Sequence, residues 1–362
     1  MSLPTRFDWV LLQEFCANVF KKAGLKKQNA ELVADSLIQA DLRGVDSHGV
    51  VRTSIYLKRI EEGMINPAAD IEVEKESDST ALVNGNNQIG SVVGVNALKV
   101  ALKKAKENGV ALVGVKNSNH FGTGAYYLLK AIEQNMILLV MSNASQTMPP
   151  TGGVRPFLGT NPLAVGVPAG DAVPYILDMA TSLVARGKII VASQKGEEIP
   201  LGWAIDKDGN PTTNAEAALE GSVLPVGGPK GYAISMFIDI LSGVLTGAGF
   251  GKYVNNMYEN WEQPQNVGHF FIAIDINKFI PIELFKQRMD QYISEIKAEP
   301  KAPNVDEILI PGEIEHRRVI YKKANGIELP SKVVKELQEI AQKYGLDLSQ
   351  AIFNQKNKEV TK

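Results

Sequence analysis

The chain has 362 residues, enough for two domains or for one domain with a substantial extension. Its 38 Lys and Arg residues nearly balance its 40 Asp and Glu residues, and the net charge of −2 argues against nucleic acid or an anionic membrane as a partner. The single cysteine, Cys16, excludes an internal disulfide and fits a core position, and the lack of a signal-like or membrane-spanning segment predicts a cytoplasmic protein.

The first sixty residues carry apolar side chains at helical spacing, with no alternation typical of a strand. Three helices are predicted, over residues 9–22, 29–42 and 48 to about 62. Asp8 and Ser47 occupy N-cap positions of the first and third helix, and a glycine follows closely after each of the three. The segment is therefore predicted to form a small helical layer.

From about residue 80, short apolar segments alternate with helical ones. Strands are predicted over residues 81–84, 110–116, 137–141, 163–167, 175–179, 188–191 and 270–276, and helices over residues 90–108, 122–135, 232–245, 282–297 and 330–345. The helix over 232–245 is apolar on nearly every face and is predicted to be buried. A tail rich in lysine and asparagine follows the last helix. The alternation by itself favours an α/β fold with a doubly wound sheet.

His48, Arg52 and Tyr56 are spaced four residues apart in the third predicted helix, so their side chains should project from one face. An arginine can hold a carboxylate through two parallel hydrogen bonds, while a histidine or a tyrosine can exchange a proton with a hydroxyl or ketone oxygen. The face therefore suits a small carboxylate substrate. The same spacing also fits the solvated polar face of an ordinary helix.

Three further polar clusters lie where a predicted strand ends or a predicted helix begins. His120 follows a strand within Asn117-Ser-Asn-His-Phe-Gly-Thr-Gly, whose glycines permit close approach of a ligand. Asp178 ends a strand after the loop Gly159-Thr-Asn-Pro, and it could orient a histidine or bind a ribose hydroxyl. Lys230, in a glycine-rich turn before a helix, could contact a phosphate. Each cluster also fits a polar loop or a capping turn.

Motifs of the common nucleotide and hydrolase sites are missing from the sequence. No G-x-G-x-x-G follows an early strand, and there is no Walker A, H-E-x-x-H or G-x-S-x-G motif. The histidines and scattered carboxylates are too generic to predict a metal site, and we interpret His269 and His316 as structural or surface residues. The residues alone thus predict a soluble α/β enzyme with an anion-binding surface and leave its cofactor open.

Five segments, in this order, resemble the type-2 malate/L-lactate dehydrogenase family, which includes ureidoglycolate, sulfolactate and 2,3-diketo-L-gulonate dehydrogenases. The segments are DLRGVDSHGVVR (41–52), SNHFGTG (118–124), GTNPLA (159–164), LDMATS (177–182) and GPKGY (228–232), and the resemblance covers roughly residues 8–320. It implies a mixed α+β fold without a Rossmann domain. A helical domain would comprise residues 1–75 and about 315–362, and a largely antiparallel sheet domain that binds NAD(P) would comprise residues 76–314. It also implies a homodimer.

The resemblance implies a role for each site residue. His120 would accept the proton of the substrate hydroxyl and Arg52 would clamp the carboxylate, while His48 and Tyr56 shape the pocket; His48 as the acid/base stays open. Further substrate contacts would come from Asn143, Thr160 and Asn161. Cofactor contacts would come from His120, Asp178, Met179, Ala180, Lys230, Pro311, Gly312 and Glu313.

The implied reaction is oxidation of a small 2-hydroxy acid to the 2-keto acid, with NAD, or NADP, as the acceptor. Malate and L-lactate are expected before ureidoglycolate or sulfolactate. A histidine base must start neutral, so oxidation is expected to slow as the pH falls through about 6.5 if its pKa is ordinary. The alternatives of another class are a non-catalytic NADH-binding protein and a metal-dependent hydrolase or aldolase.

Overall fold

The computed structural model describes residues 5–353, in which eleven helices surround or flank one large sheet. The helices are α1 (Trp9–Lys22), α2 (Lys27–Leu42), α3 (Thr53–Glu61), α4 (Gly90–Asn108), α5 (Ala125–Ile132), α6 (Arg186–Lys195), α7 (Ala215–Glu220), α8 (Pro229–Asp239), α9 (Ile282–Ala298), α10 (Glu313–Asn325) and α11 (Ser331–Tyr344). The strands are β1 (Arg6–Phe7), β2 (Glu72–Glu76), β3 (Thr80–Asn84), β4 (Val110–Ser118), β5 (Met136–Ser142), β6 (Leu163–Val167), β7 (Tyr175–Met179), β8 (Ala204–Ile205), β9 (Pro211–Thr212), β10 (Ser222–Val223), β11 (Val267–Asp275) and β12 (Ile327–Glu328).

The N-terminal helices and the C-terminal helix α11 share one hydrophobic core, to which Cys16 belongs as predicted. Helix α1 begins where the sequence predicts, because Oδ1 of Asp8 accepts hydrogen bonds from the backbone N–H groups of Val10 and Leu11. Strand β1 pairs antiparallel with β12, which joins the two ends of the chain. Residues near both termini therefore build a single helical layer.

The main sheet has seven strands in the order β2-β3-β4-β11-β5-β6-β7, and only the β3–β4 pair is parallel. Strand β11 inserts between β4 and β5, and seven of its nine residues are buried. Helices α4 and α5 cover one face of the sheet around a second hydrophobic cluster. The doubly wound sheet favoured by the alternation is therefore wrong, whereas the mixed α+β, non-Rossmann fold is confirmed.

Two predicted elements have a different form in the structure. Residues 188–191, predicted as a strand, lie inside α6, because the short apolar run continues into good helix formers up to the left-handed Gly196. The third predicted helix is not continuous from His48. Two 3₁₀ turns, Asp46–His48 and Val50–Arg52, precede α3, and Gly49 between them has extended backbone.

Helix α8, continued by the π-helical turn Ile240–Val244, lies at the surface. The prediction that this helix is buried is therefore wrong for the single chain. Its inner face is built from small and polar residues such as Ser235 and Asp239. Its outer face is apolar and exposed, with Phe237 56% and Leu245 64% accessible. The sequence pattern is typical of a buried helix, but no element within residues 5–353 covers the outer face of α8.

A third, smaller hydrophobic cluster lies within residues 184–223, where α6 and α7 pack beside the small sheet β10-β8-β9. None of the helices in residues 5–353 has the length and apolarity needed to cross a lipid bilayer. The end of the predicted tail, residues 354–362, lies outside the described range.

Candidate active site

A cleft with a volume of about 750 Å³ collects most of the predicted site residues, and this volume is within the range of small-molecule sites. Its wall comes from the two 3₁₀ turns before α3, the loop between β4 and α5, the residues after β5, the end of β7 and the segment before α10. A larger, open groove of about 1000 Å³ is lined by residues such as Asn87, Asn117 and Lys252. It holds none of the predicted site residues, so the smaller cleft is the candidate site.

The turn that carries His48 and Arg52 is fixed from behind by Asp41. The carboxyl oxygen Oδ2 of this buried residue accepts a hydrogen bond of 2.8 Å from the backbone N–H of Val50. A Cβ atom at Gly49 would lie only 1.8 Å from the other carboxyl oxygen, so the site requires glycine at this position. Burial raises the pKa of Asp41 to about 8, which keeps most of this carboxyl uncharged at neutral pH.

Arg52 is half-buried in the cleft and keeps its guanidinium largely free for a ligand. Its Nε donates a hydrogen bond of 2.7 Å to the backbone oxygen of Ser47, and its Cζ lies 5.7 Å from the centre of the Tyr258 ring. No carboxylate forms an ion pair with Arg52 among the described residues. A fixed cation without a protein counter-charge is suited to hold an anionic substrate group.

The imidazole of His120 is oriented by Tyr56, whose hydroxyl oxygen lies 2.6 Å from Nδ1. The rings of His120 and His48 lie 5.3 Å apart between centroids, and Oγ of Ser47 lies 2.9 Å from Nδ1 of His48. The chain thus brings His48, Arg52, Tyr56 and His120 together, although the first two do not lie on the continuous α-helix that was predicted.

Both imidazoles are neutral at physiological pH. Burial, assisted by the charge of Arg52, lowers the pKa of His48 to about 4 and holds that of His120 well below its usual 6.5. Burial raises the pKa of Tyr56 to about 12, so its hydroxyl stays protonated. Either imidazole can therefore accept a proton, but the expected loss of activity at about pH 6.5 must move to lower pH.

Two of the predicted substrate contacts have side chains that hydrogen-bond to other parts of the protein. Asn143 donates to Oδ1 of Asp239 and to the backbone oxygen of Gly249, and its own Oδ1 accepts from Gly268. Asn161 accepts from the backbone N–H of Ala144 and donates to the backbone oxygen of Ser235. The side chains of Asn143 and Asn161 therefore position the cleft loops, and Asn143 also lines the cleft, so its contact with a substrate stays a prediction. Thr160 lines the cleft.

The predicted cofactor contacts divide into two groups. Asp178, Ala180, Pro311 and Gly312 line the cleft together with His120. Asp178 also accepts a hydrogen bond from the backbone N–H of Ala125 at the start of α5, so part of its carboxylate is already engaged.

The other three predicted cofactor contacts do not line the cleft. The carboxylate of Glu313 is bound by Lys297 at 2.7 and 2.8 Å and accepts from the backbone N–H of Ile310, which makes it a structural residue. Met179 is half-buried beside the cleft, and Lys230 is exposed at the start of α8. Neither contacts the cavity as the side chains stand.

The cleft wall also carries polar groups that the motifs did not identify. Thr147 Oγ1, Ser182 Oγ and Nε of Arg43 are buried and have no hydrogen-bond partner within residues 5–353, and all three residues line the cleft. These residues add polar side chains to the cleft wall, which suits a ligand with many oxygens, such as a dinucleotide with its phosphates and ribose hydroxyls. Arg43 lies in the segment 41–52, so the sequence could have identified it, whereas Thr147 lies outside every motif.

The remaining histidines lie where the sequence predicts. His269 is fully buried, with Nε2 2.7 Å from Oγ of Ser118 and Nδ1 2.9 Å from Oγ of Ser142, so it is a satisfied structural residue. His316 is exposed on α10. In the described part of the chain, no three side chains of the His, Cys, Asp and Glu types are grouped to hold a metal ion.

Comparison with known proteins gives a consistent result over nearly the whole chain. A sequence model described as malate/L-lactate dehydrogenase matches residues 7–338. Malate dehydrogenase of Pyrococcus horikoshii is 44% identical over 344 residues, which are 93% of this chain and 94% of the relative. Ureidoglycolate dehydrogenase (NAD(+)) of Escherichia coli K12 is 36% identical over 327 residues, 90% of this chain and 93% of the relative. The solved structure of sulfolactate dehydrogenase from Methanocaldococcus jannaschii superimposes with a TM-score of 0.90 at 40% identity, covering 96% of this chain and 99% of that one.

Proposed function

The chain belongs to the malate/L-lactate dehydrogenase family and is a 2-hydroxy acid dehydrogenase, and on this premise we propose that it oxidises malate or L-lactate with NAD as the acceptor. The observation that carries the proposal is the meeting of His48, Arg52 and His120 in one cleft, with the hydroxyl of the buried Tyr56 bonded to His120. The group combines a free cation for a carboxylate with neutral proton acceptors for a hydroxyl. Malate is favoured by the relative at 44% identity.

Substrate binding is assigned to Arg52. Because its Nε is held by Ser47, the two terminal nitrogens of the guanidinium can meet the C1 carboxylate of the acid side by side. Burial strengthens this pairing, since the effective dielectric constant in the cleft is lower than in water. The carboxylate would then fix C2 and its hydroxyl beside the two imidazoles, in the near-attack geometry of about 3–3.5 Å that such reactions need.

Proton removal is assigned to His120. With Nδ1 directed at the hydroxyl of Tyr56, Nε2 is the nitrogen left for the substrate. In the tautomer that donates from Nδ1 to the tyrosine oxygen, Nε2 carries the lone pair and accepts the hydroxyl proton as the C2–O bond gains double-bond character. Bound NAD would supply the hydride acceptor for C2. The low pKa of His120 means that the base is ready at neutral pH.

Cofactor binding is assigned to the part of the cleft that holds Asp178, Ala180, Pro311 and Gly312, whose wall also includes Thr147, Ser182 and Arg43. Arg43 could also attract an added phosphate, so NADP is the alternative acceptor. Ureidoglycolate is the second candidate substrate, supported by the relative at 36% identity.

The test is the change in absorbance at the NADH band with malate, L-lactate, sulfolactate and ureidoglycolate, each with NAD and with NADP. Turnover fastest with malate or L-lactate and NAD is the expected result. Faster turnover with another acid or with NADP replaces that part of the proposal and keeps the reaction class. Folded protein that binds NADH but oxidises none of the acids would refute the proposed substrates and favour a non-catalytic role.

The apolar outer face of α8 supports the further proposal that the chain works as a homodimer. Six exposed apolar side chains follow one another there, and a monomer rarely exposes such a patch. They are Ile234, Met236, Phe237, Ile240, Val244 and Leu245. Light scattering after gel filtration should give twice the chain mass, and Phe237→Glu should reduce it to the single mass. A dimer that survives Phe237→Glu and Leu245→Glu together would place the interface elsewhere.

A further inference from the structure

Gln265 is a buried residue of the cleft wall to which neither the motifs nor the proposed mechanism gives a role. Its side chain is 4% exposed and borders the cleft. Oε1 accepts a hydrogen bond of 3.0 Å from the backbone N–H of His120. Because an N–H group needs an acceptor, this contact fixes the orientation of the amide, and the other end must be the NH₂ group.

The NH₂ group of Gln265 is a hydrogen-bond donor without an acceptor within residues 5–353. Nε2 has no hydrogen-bond partner within residues 5–353, and it is not among the atoms that the protein encloses completely. By standard amide geometry it lies about 2.2 Å from Oε1, hence within about 5 Å of the backbone nitrogen of His120. An unoccupied donor therefore faces the cleft beside the proposed base.

The loop that carries Gln265 is held rigidly at its base. The backbone N–H of Asn255 donates to the backbone oxygen of Gln265 at 3.0 Å, and Nδ2 of Asn255 donates to the backbone oxygen of Pro264 at 2.7 Å. The same loop presents Tyr258, whose ring lies 5.7 Å from Cζ of Arg52. Tyr258 and Gln265 therefore border the cleft from the same loop, and Arg52 reaches the cleft from the 3₁₀ turn before α3. The cleft thus has a charged donor in Arg52 and a neutral donor in Gln265.

We propose that Gln265 determines substrate specificity by donating a hydrogen bond from Nε2 to an oxygen in the side chain of the hydroxy acid. The inference rests on the proposed function, in which Arg52 holds the C1 carboxylate and His120 meets the C2 oxygen. The donor at Gln265 is then left for the third substituent of C2. Acids whose third substituent carries an acceptor, such as a carboxylate, a sulfonate or an amide carbonyl, should be preferred over acids that end in a methyl group.

The expected discrimination follows from the chemistry of an unpaired donor. A neutral N–H that donates to a charged oxygen contributes about 1.5–3 kcal/mol, which corresponds to about ten- to a hundredfold in kcat/KM. A methyl group at the same place leaves the amide without a partner after water has been displaced. A site built to bond a polar group therefore disfavours the analogue that lacks it.

The test compares malate with L-lactate in Gln265→Met and Gln265→Glu. Gln265→Met should lower kcat/KM for malate about ten- to a hundredfold and change that for lactate less than about threefold. Gln265→Glu keeps an acceptor for the N–H of His120 but repels a second carboxylate, so its loss should also be confined to malate. Gln263→Met, an exposed residue of the same loop that borders the other groove, is the matched control and should behave as the unmodified chain.

Several outcomes would overturn the inference. Equal losses for both acids would mean that Gln265 only positions His120, and unchanged kinetics for both would mean that it does not meet the substrate. NADH binding, followed by fluorescence, should stay within about twofold in all variants, so that a damaged fold is recognised. If the unmodified chain oxidises neither acid, the proposed function itself fails, which is distinct from a failure confined to the Gln265 variants.

Discussion

Replacing Arg52 tests the proposed carboxylate clamp most directly. Arg52→Met keeps an unbranched apolar stem in the half-buried site but removes the guanidinium, whose Nε is held by Ser47 and which has no carboxylate partner in the described residues. Loss of one member of a buried, hydrogen-bonded charge pair costs about 2–5 kcal/mol, so kcat/KM should fall about 30- to 5,000-fold. Arg52→Lys keeps the charge but lacks the two parallel donors, so its kcat/KM should lie between those of the unmodified chain and Arg52→Met.

The same variants should change the pH dependence in different ways. The charge of Arg52 is the second cause, after burial, of the low pKa values of His48 and His120. Without that charge a protonated imidazole is less disfavoured, so the acid limb of kcat/KM should move to higher pH in Arg52→Met. Arg52→Lys retains the charge and should leave the limb near its original place.

The assay is the initial rate of NADH formation between pH 5 and 8, with NADH binding by fluorescence as the check on folding. Lys58→Met, an exposed residue of α3, serves as the control for removal of a positive charge nearby in sequence. A kcat/KM value in Arg52→Met within about twofold of the original would refute the clamp. An unmoved acid limb in that variant would refute the electrostatic account of the two histidines.

Two further predictions follow from the buried histidines. The acid limb of kcat/KM for oxidation should lie below pH 6.5, with a flat rate from there to pH 8, because burial keeps His48 and His120 neutral. A limb centred at pH 6.5 would contradict this, provided that a substrate isotope effect shows that hydride transfer limits the rate. His269 has a folded-state pKa of about 3 against about 6.5 unfolded, so below pH 6.5 the unfolded chain binds the extra proton and stability falls by about 1.4 kcal/mol per pH unit toward pH 3. His269→Gln should remove the His269 share of that pH dependence in urea unfolding compared at pH 7.0 and 5.5, leaving the shares of His48 and His120. An identical pH dependence in both proteins would show that His269 is accessible to protons in the fold.

The helical layer could be predicted from the sequence because its signals are local. Helices α1 and α2 show their apolar stripes, and the Asp8 cap, within a few residues of chain. The sheet could not be predicted in the same way, since β11 pairs with strands more than 120 residues earlier, His269 lying opposite Val115 and Ser142. Nothing in the local pattern of β4 and β5 indicates that a later strand separates them.

Helix α8 shows a different limit. Its apolarity predicts that most of its surface is covered, but the sequence does not say what would cover it. In the described chain the inner face holds small and polar residues, which pack closely with backbone and bond to the loops, together with Ile238, which packs with Met141 and Phe270. Most of the large apolar residues face outward. In the proposed homodimer this outer face would be covered, which a single chain cannot display.

The sequence motifs predict which residues lie near the cleft more accurately than they predict which atoms are free to contact a ligand. His48, Arg52, Tyr56 and His120 do meet, because the two 3₁₀ turns, the helix α3 that follows them and the loop after β4 bring them together. Asn161 lies in an equally specific motif and Asn143 in a loop that the resemblance covers, yet both polar atoms of each side chain are engaged by the protein. Gln265 lies outside every motif, and its amide still has a free donor in the cleft.

The contrast among these three amides follows from what surrounds them. Asn143 and Asn161 are bonded to Asp239 and to the backbone of Ser235 on the inner face of α8, so they tie the two loops of the cleft to that helix. A motif residue near a ligand can thus be required for the shape of the site without touching the ligand. Gln265 has only one end engaged, by His120, and the unpaired end is therefore the one that can distinguish between substrates. Unsatisfied hydrogen-bonding capacity, which only the folded chain reveals, separates a residue that can read the substrate from one that holds the loops in place.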